Sequence, residues 1–249
     1  MDVVSSALDF ILPFEKYKIT AGAKVSFTNT RNGINYDTSD PTLVQDDYFR
    51  YKEQIYALYA DYSREYSERF SMQLGLRMEH TRTTGISEAK DTEDKHDYTR
   101  LFPTVYLLYS PTDGHALNFS FSNRISRPSQ NMVNPFPFYQ NKYTYACGRE
   151  DLKPSYTYNA ELGYTLKNNF NVSAYYSYSD DVFFQVVDLD AETNVTSFLW
   201  ENFMKTHAFG LNNSYTFRTK WLQAYAQHGV SYRCLLYTSD AADEEDSVD

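Results

Sequence analysis

Long apolar runs are missing from this 249-residue sequence. Its mean hydropathy is -0.60, and no segment approaches the roughly 20 consecutive apolar residues that a membrane-spanning helix requires. A transmembrane helix is therefore excluded. Basic runs are also missing, and 23 Lys and Arg residues stand against 33 Asp and Glu residues. This balance argues against a nucleic-acid-binding protein.

Motifs of catalytic chemistry are missing as well. The sequence has no glycine-rich phosphate loop and no H-E-x-x-H, C-x-x-C or G-x-S-x-G segment. Cys147 and Cys234 are too few for a disulfide framework and lack the spacing of metal ligands. The acidic stretch at residues 91–97 could bind calcium, but without EF-hand spacing it is more typical of a solvated loop. We therefore predict no enzyme activity, no cofactor and no metal site.

Aromatic residues, by contrast, are abundant. The 24 Tyr and 17 Phe residues outnumber the 2 Trp residues. Tyrosine suits a membrane–water boundary, because its ring lies in the apolar layer while its hydroxyl reaches water. A transmembrane β-barrel would also fit the low mean hydropathy, since only alternate residues of its strands face lipid. A soluble all-β protein rich in tyrosine is the alternative that composition leaves open.

A two-residue alternation of apolar and polar side chains is the dominant pattern, and it is clearest at residues 70–79. The apolar residues there share one face of an extended strand: Phe70, Met72, Leu74, Leu76 and Met78. Arg77 and Glu79 fall on the opposite face. The alternation recurs at residues 117–122, 159–166, 171–178 and, interrupted by Asn213, 209–218. Segments of ~10 residues fit tilted membrane-spanning strands better than the ~5–6 residues typical of soluble sheets.

Connections between these segments alternate in length. Short turns fall at residues 13–17, 63–67, 111–115, 167–169 and 219–220, and longer polar segments at 30–47, 85–97, 125–154 and 188–194. Outer-membrane barrels sort their connections in this way, with the short ones periplasmic. We therefore predict an all-β fold, a partial transmembrane antiparallel β-barrel. About eleven strands are expected, half of the 22-stranded barrel of plugged outer-membrane transporters. Arg77 and Glu79 would then face the lumen.

The two ends of the sequence suggest boundaries. The first residues lack the basic and apolar regions of a secretory signal peptide, so we expect the true start to lie upstream of Met1. Residues 234–249 lack the high content of Tyr, Asn, Ser and Phe that is typical of the rest of the sequence. They resemble a translated sequencing adapter. Six of them are acidic and none is basic. We predict a barrel portion at residues 1–233 and a non-native acidic tail at 234–249, and an acidic interaction segment is the alternative.

The most specific pattern runs through residues 123–164. It contains, in this order, Ser126-Arg127-Pro128, Asn134-Pro135, Gly148-Arg149-Glu150-Asp151-Leu152-Lys153-Pro154 and Glu161-Leu162-Gly163-Tyr164. The order and spacing resemble the C-terminal barrel region of TonB-dependent receptors, with its S-R-P, N-P, G-N-P-x-L-K-P-E-like and E-L-G-Y segments. Arg149 and Glu150 stand where that pattern has Asn-Pro, and Ser155 replaces its acidic residue. These departures concern the loop and leave the fold unaffected.

The resemblance implies a location and partners. It places the chain in the outer membrane of a Gram-negative bacterium, in contact with lipid. It also implies a receptor that imports a large or scarce nutrient, powered by the TonB system through a plug region that would lie upstream. Two alternatives stay open: a soluble secreted glycan-binding β-protein, and a barrel without a plug that acts as a passive pore or adhesin.

Four residues of the motif region are candidates for ligand contact. They are Arg127, Tyr139, Tyr143 and Tyr145, and the tyrosines would serve as stacking platforms. The prolines of the same region fix the backbone angle φ and remove hydrogen-bond donors, so they hold a long loop in a defined shape. A loop that determines the fold without contacting a ligand is therefore the other interpretation.

Overall fold

The computed structural model describes residues 1–35, 46–87 and 91–237. These residues form one 12-stranded sheet and one short helix. In chain order the elements are β1 (Asp2–Pro13), β2 (Tyr17–Asn35), β3 (Asp46–Ser67), β4 (Phe70–Ser87), β5 (Thr92–Tyr109), β6 (His115–Ser126), α1 (Gln130–Val133), β7 (Phe138–Asn141), β8 (Thr144–Cys147), β9 (Ser155–Leu166), β10 (Phe170–Asp190), β11 (Val195–Arg218) and β12 (Gln223–Tyr237).

Ten of the strands in the described ranges are long and follow one another across the sheet in chain order. Each long strand pairs antiparallel with the next. β6 pairs directly with β9, so residues 127–154 leave the sheet as a long loop that carries α1 and the β7–β8 hairpin. β8 pairs parallel with β11. Where the sequence predicted about eleven strands, the sheet therefore has ten long strands and one short pair.

The alternation predicted for residues 70–79 is present in β4 and continues across its neighbours. Leu74, Leu76 and Met78 are 38%, 51% and 41% exposed. Directly opposite them on β5 are Val105, Pro103 and Leu101, and opposite residues share a face. Large apolar side chains of β3, β6, β9 and β11 are exposed in the same way, including Leu58, Leu117, Leu162 and Leu211. A continuous apolar surface of this extent is unusual for a water-soluble monomer.

The opposite face of the same strands is polar, and part of it is buried. Glu79, Thr81, Thr83 and Ser87 are only 7%, 0%, 9% and 1% exposed. They alternate along β4 with the exposed residues Met78 and Arg82. The long loop covers this part of the polar face, which explains its burial.

The connections are sorted by length as predicted, although the strands are longer than expected. Turns at residues 14–16, 68–69, 110–114, 167–169 and 219–222 lie at one end of the sheet, and the long loop lies at the other. Residues 85–97, predicted as a loop, are mostly strand, because β4 runs to Ser87 and β5 begins at Thr92. The strand pairing there continues with polar residues on both faces, and such a segment carries no apolar alternation for sequence analysis to detect.

Two further features complete the fold. No helix in the described ranges has the length and apolar character needed to cross a membrane. The last strand, β12, extends through Arg233 to Tyr237 and pairs with β11 along its whole length. The remainder of the predicted tail, residues 238–249, lies outside the described residues.

Candidate functional site

The long loop, residues 127–154, is held in shape by contacts between its two motif segments. The amide of Gly148 donates to the carbonyl oxygen of Asn134 at 2.9 Å, and the amide of Arg149 donates to that of Met132 at 2.8 Å. A Cβ at position 148 would lie 2.5 Å from the Asn134 oxygen and 2.6 Å from the Met132 oxygen. Only glycine allows this approach, since neither neighbour is a flexible side chain. The Asn134-Pro135 and Gly148-Arg149 segments therefore form one unit.

Arg127 anchors the start of the loop to the polar face. Its Nη2 lies 2.6 Å from Glu79 Oε2 and 3.2 Å from Thr81 Oγ1, and its Nε lies 3.6 Å from Glu53 Oε1. Arg77 donates a second hydrogen bond to Glu79. Burial lowers the pKa of Arg127, but the hydrogen bond and charge of Glu79 outweigh burial and raise the pKa above its ordinary value. The guanidinium therefore stays charged and bridges β3 and β4 to the loop.

The end of the loop is anchored to the other side of the sheet. Arg149 Nη1 donates to Glu201 Oε1 of β11 at 2.7 Å, and Nη2 donates to Asp151 Oδ2 at 2.8 Å. The hydrogen bond from Arg149 lowers the pKa of Asp151. Asn202 fixes Lys153 at both backbone groups, with distances of 2.8 and 3.0 Å. Arg149, which stands where the family pattern has Asn, therefore connects the loop to the wall.

A third anchor connects the loop to β5. The Thr92 hydroxyl donates to Glu150 Oε1 at 2.8 Å, and His96 Nε2 lies 3.0 Å from the Glu150 carbonyl oxygen. Beneath these polar contacts, Val133 and Leu152 of the loop pack with Phe49 of β3 in a small buried core. The loop is therefore fixed against four strands, β3, β4, β5 and β11.

A cavity of about 390 Å³ lies between the loop and the polar face, within the range of small-molecule sites. Its walls combine aromatic and charged side chains, and they include Tyr51, Glu53, His96, Tyr98, Arg100, Arg127 and Tyr156. The guanidinium of Arg100 lies 4.8 Å from the centre of the Tyr156 ring. Hydroxyl groups, cations and carboxylates facing one space provide hydrogen-bond donors and acceptors for a polar ligand.

The structure separates the four predicted ligand-contact residues. Arg127 lines the cavity. Tyr139 and Tyr145 face each other across the β7–β8 hairpin, with ring centres 5.8 Å apart. Tyr143 at the hairpin turn is 53% exposed, and Lys142 Nζ lies 5.5 Å from its ring centre. The three tyrosines therefore form a group on the hairpin and do not line the cavity with Arg127.

The tyrosines that do line the cavity, Tyr51, Tyr98 and Tyr156, were not predicted from the sequence. Tyr51 and Tyr98 occupy strand extensions that lack apolar alternation, and Tyr156 directly follows the Leu152-Lys153-Pro154 segment. The one available signal was the position of Tyr156 immediately after the motif. In the acidic stretch at residues 91–97, Glu93 pairs with Lys95 and Asp97 with Arg82, each at 2.9 Å. No group of three potential metal ligands occurs in the part of the chain that the structure describes.

A wall of sequentially paired antiparallel strands, with an apolar exposed face and a polar face that holds a long loop, defines the class of outer-membrane β-barrels. The model of the outer membrane protein beta-barrel family matches residues 1–247, and the chain belongs to this family. Family membership confirms the predicted fold class and the outer-membrane location, and it excludes the soluble secreted alternative. The polar face is therefore the lumenal face, and the apolar face contacts lipid.

Solved structures of outer-membrane proteins share the fold. The copper transporter OprC is similar with a TM-score of 0.69 and 13% identity, over 93% of this chain and 38% of that chain. The FrpB iron transporter from Neisseria meningitidis (TM-score 0.61, 14% identity) aligns over 96% and 37%, respectively. The ferric enterobactin receptor PfeA (TM-score 0.61, 15% identity) aligns over 90% and 34%.

The chain thus spans between 34% and 38% of the length of these three proteins. At sequence identities of 13–15%, the similarity to these structures shows a shared fold and nothing more. A comparison with curated protein sequences finds no match.

Proposed function

We propose that the chain is the barrel portion of a TonB-dependent outer-membrane receptor, which binds and imports a nutrient too large or too scarce for diffusion through porins. One observation carries the proposal: the loop at residues 127–154 folds onto the lumenal face and forms one side of a cavity there. Three separate polar anchors, at Arg127, Arg149 and Glu150, hold this loop in one shape. A receptor needs such a preorganised surface to bind its ligand.

The cavity favours a polar organic ligand. Its tyrosines can stack on sugar or peptide groups, and Arg100, Arg127 and Glu53 can hydrogen-bond hydroxyl and carboxylate groups. The similar solved structures are named for copper, iron and ferric enterobactin. Two of these proteins are named transporters and one a receptor, and we extend the role of a transporting receptor, but not the metal, to this chain.

In this proposal the strands and the long loop bind the ligand, and a separate plug region moves to let the ligand pass. The strands are continuously paired from β1 to β12, and the loop is fixed at both ends, so this region offers a rigid binding surface. Gating and coupling to the TonB system belong to a plug region, which we expect upstream of residue 1.

The experiment compares cells that carry the complete gene, cells that lack it, and cells that lack TonB. Each is grown on a defined mixture of oligosaccharides and peptides, and mass spectrometry measures which compounds disappear from the medium. We expect at least one compound to be consumed only when both the gene and TonB are present. Depletion that needs the gene but persists without TonB would instead support the passive pore.

Two variants locate the binding surface. Arg100→Gln removes a charge from the cavity, and Tyr143→Ser removes a ring from the exposed hairpin turn. We expect Arg100→Gln to slow TonB-dependent depletion by about tenfold, the loss of one charged hydrogen bond, and Tyr143→Ser to have little effect. The reverse result would move the binding surface to the hairpin.

A further inference from the structure

Five basic side chains project from the lipid-facing surface of four adjacent strands. In the cross-strand register, Arg31 of β2 lies opposite Arg50 of β3. Thr84 of β4 lies between Lys52 of β3 and Lys95 of β5 in the next row. Arg82 of β4 lies opposite Gln54 of β3 in the third row. These positions alternate with lumenal residues such as Thr81 and Thr83, which are buried. We name these five residues, Arg31, Arg50, Lys52, Arg82 and Lys95, the outer basic patch. It covers three successive cross-strand rows from β2 to β5.

The height of the patch on the wall is set by the apolar band below it. Ten residue steps separate Phe70 from His80 on the lipid-facing side of β4, about 33 Å along a strand. At the usual tilt of ~40° this distance corresponds to roughly 25 Å, the height of the apolar band of an outer-membrane barrel. Arg82 is the next residue on that face. The patch therefore begins where the hydrocarbon layer ends, on the side of the long loop.

An aromatic row marks the same boundary. The rings of Phe27 and Tyr56 are 5.9 Å apart, and those of Tyr56 and His80 are 6.3 Å apart. Tyr56 and His80 are opposite each other in register, one row below Gln54 and Arg82. Aromatic side chains of this kind concentrate at the level of lipid headgroups. The basic side chains just beyond them are thus at headgroup level.

The carboxylates that the structure describes near the patch do not neutralise it. Asp97 lies 2.9 Å from Arg82, and Glu93 lies 2.9 Å from Lys95. Asp2 of β1 lies opposite Asn29, at the edge of the same rows. Among the described residues of these rows, five cations thus face three carboxylates, although the whole chain carries a formal net charge of -10. The buried Nε of Arg50 also has no hydrogen-bond partner among the described residues.

The other half of the wall provides a contrast. There, Lys205 on the lipid-facing side of β11 lies 3.4 Å from Asp180, beyond an aromatic row that contains Tyr178 and His207 with ring centres 4.9 Å apart. One cation is balanced by one carboxylate at that position. This second position beyond an aromatic pair therefore shows no positive excess among the described residues.

We propose that the outer basic patch binds a phosphorylated lipid headgroup of the outer leaflet. A phosphate above the row of Tyr56 and His80 would lie within reach of Arg31, Arg50 and Lys52, and arginine can hold phosphate oxygens with two parallel hydrogen bonds. The acyl chains of the same lipid would lie on the apolar surface formed by Leu58, Met78 and Leu101. The site is on the outside of the wall, so it does not depend on the transport function.

The test measures lipid bound to the protein encoded by the complete gene, purified in a neutral detergent. The probe is lipid A with two phosphate groups, quantified by native mass spectrometry. We expect the triple variant Arg31→Gln/Arg50→Gln/Lys52→Gln to weaken binding by more than a hundredfold. This is about fivefold for each cation removed, which corresponds to ~1 kcal/mol per cation. Lys24→Gln, a charge loss on the lumenal side of β2, should leave binding unchanged.

Three further measurements separate the sources of binding. The charge-retaining variant Arg31→Lys/Arg50→Lys should bind within a few fold of the unchanged protein and shows that the patch tolerates substitution. Dephosphorylated lipid A should bind weakly, and inorganic phosphate should not compete. Equal binding by the triple variant and the Lys24→Gln control, or equal binding of phosphorylated and dephosphorylated lipid, would overturn the proposal.

Discussion

The two faces of β4 follow opposite rules of burial. On the lipid side Leu74, Leu76 and Met78 are apolar and exposed, whereas on the lumenal side Glu79, Thr81 and Thr83 are polar and buried. In a soluble protein this pattern would be unstable on both faces. Here lipid solvates the first group, and Arg127 of the long loop supplies hydrogen bonds to Glu79 and Thr81 of the second. On the lumenal side, the loop therefore buries the side chains of β4, as the hydrophobic core does in a soluble protein.

The lipid face should be the more sensitive to charge. Leu76→Arg places a cation near the middle of the apolar band and should cost about 2–4 kcal/mol. Gln73→Arg adds the same charge on the lumenal side of the same strand and should cost much less. The urea midpoint for folding of the full protein into lipid vesicles measures both. Equal loss in the two variants would contradict the assignment of the faces.

The lumenal face should depend on Arg127. Arg127→Met removes the charged hydrogen bonds to Glu79, at a cost of about 1.5–3 kcal/mol for a partly buried site. We expect hydrogen exchange of the loop amides to accelerate by at least tenfold, while β9–β10 exchange stays unchanged. Arg82→Met removes an ion pair of exposed partners on the other face and should change loop exchange little. A loop unaffected by Arg127→Met would mean that other contacts hold it.

The Gly148 contact should be nearly as important as the arginine. Gly148→Ala forces a methyl group against two backbone oxygens, and overpacking of this kind costs about 1–3 kcal/mol. Trypsin should then cleave at Lys142 and Arg149 roughly tenfold faster. Gly33→Ala is the matched control, because its Cβ would meet only the Tyr48 side chain, at 3.3 Å. Identical cleavage of both variants would show that the loop adapts to the extra methyl group.

The smallest effect is expected at the exposed end of the loop. The pKa of Asp151 is lowered in the folded protein, so its bond to Arg149 contributes stability above the ordinary carboxyl range and loses it as the pH falls below about 4. For such an exposed pair the contribution is ~0.2–1 kcal/mol. Amide exchange at Leu152 and Lys153, corrected for its intrinsic pH dependence, should increase modestly in acid. Asp151→Asn should abolish that increase, and an increase that persists in this variant would point to another carboxyl group.

The lipid face could be predicted from the sequence, because apolar residues recur at every second position from Phe70 to Met78. The extension from Thr81 to Ser87 could not be predicted, since polar residues on both faces leave no periodic signal. Arg127 was identified from its motif, but its partner Glu79 is 48 residues away, and only strand register brings the two together. Hairpin pairing places Tyr139 and Tyr145 against each other, and their contact with a ligand stays a prediction.

Direct pairing of β6 with β9 has a consequence for the evolution of specificity. Ser126 and Ser155 are partners in the ladder, so the long loop leaves and re-enters the wall at one point. Replacing it with a loop of different length would change the loop-closure free energy by only fractions of a kcal/mol, and the register of the wall would be preserved. The loop side of the cavity could therefore diversify by replacement of this one segment, while the wall side, which includes Tyr51, Tyr98 and Tyr156, would stay constant.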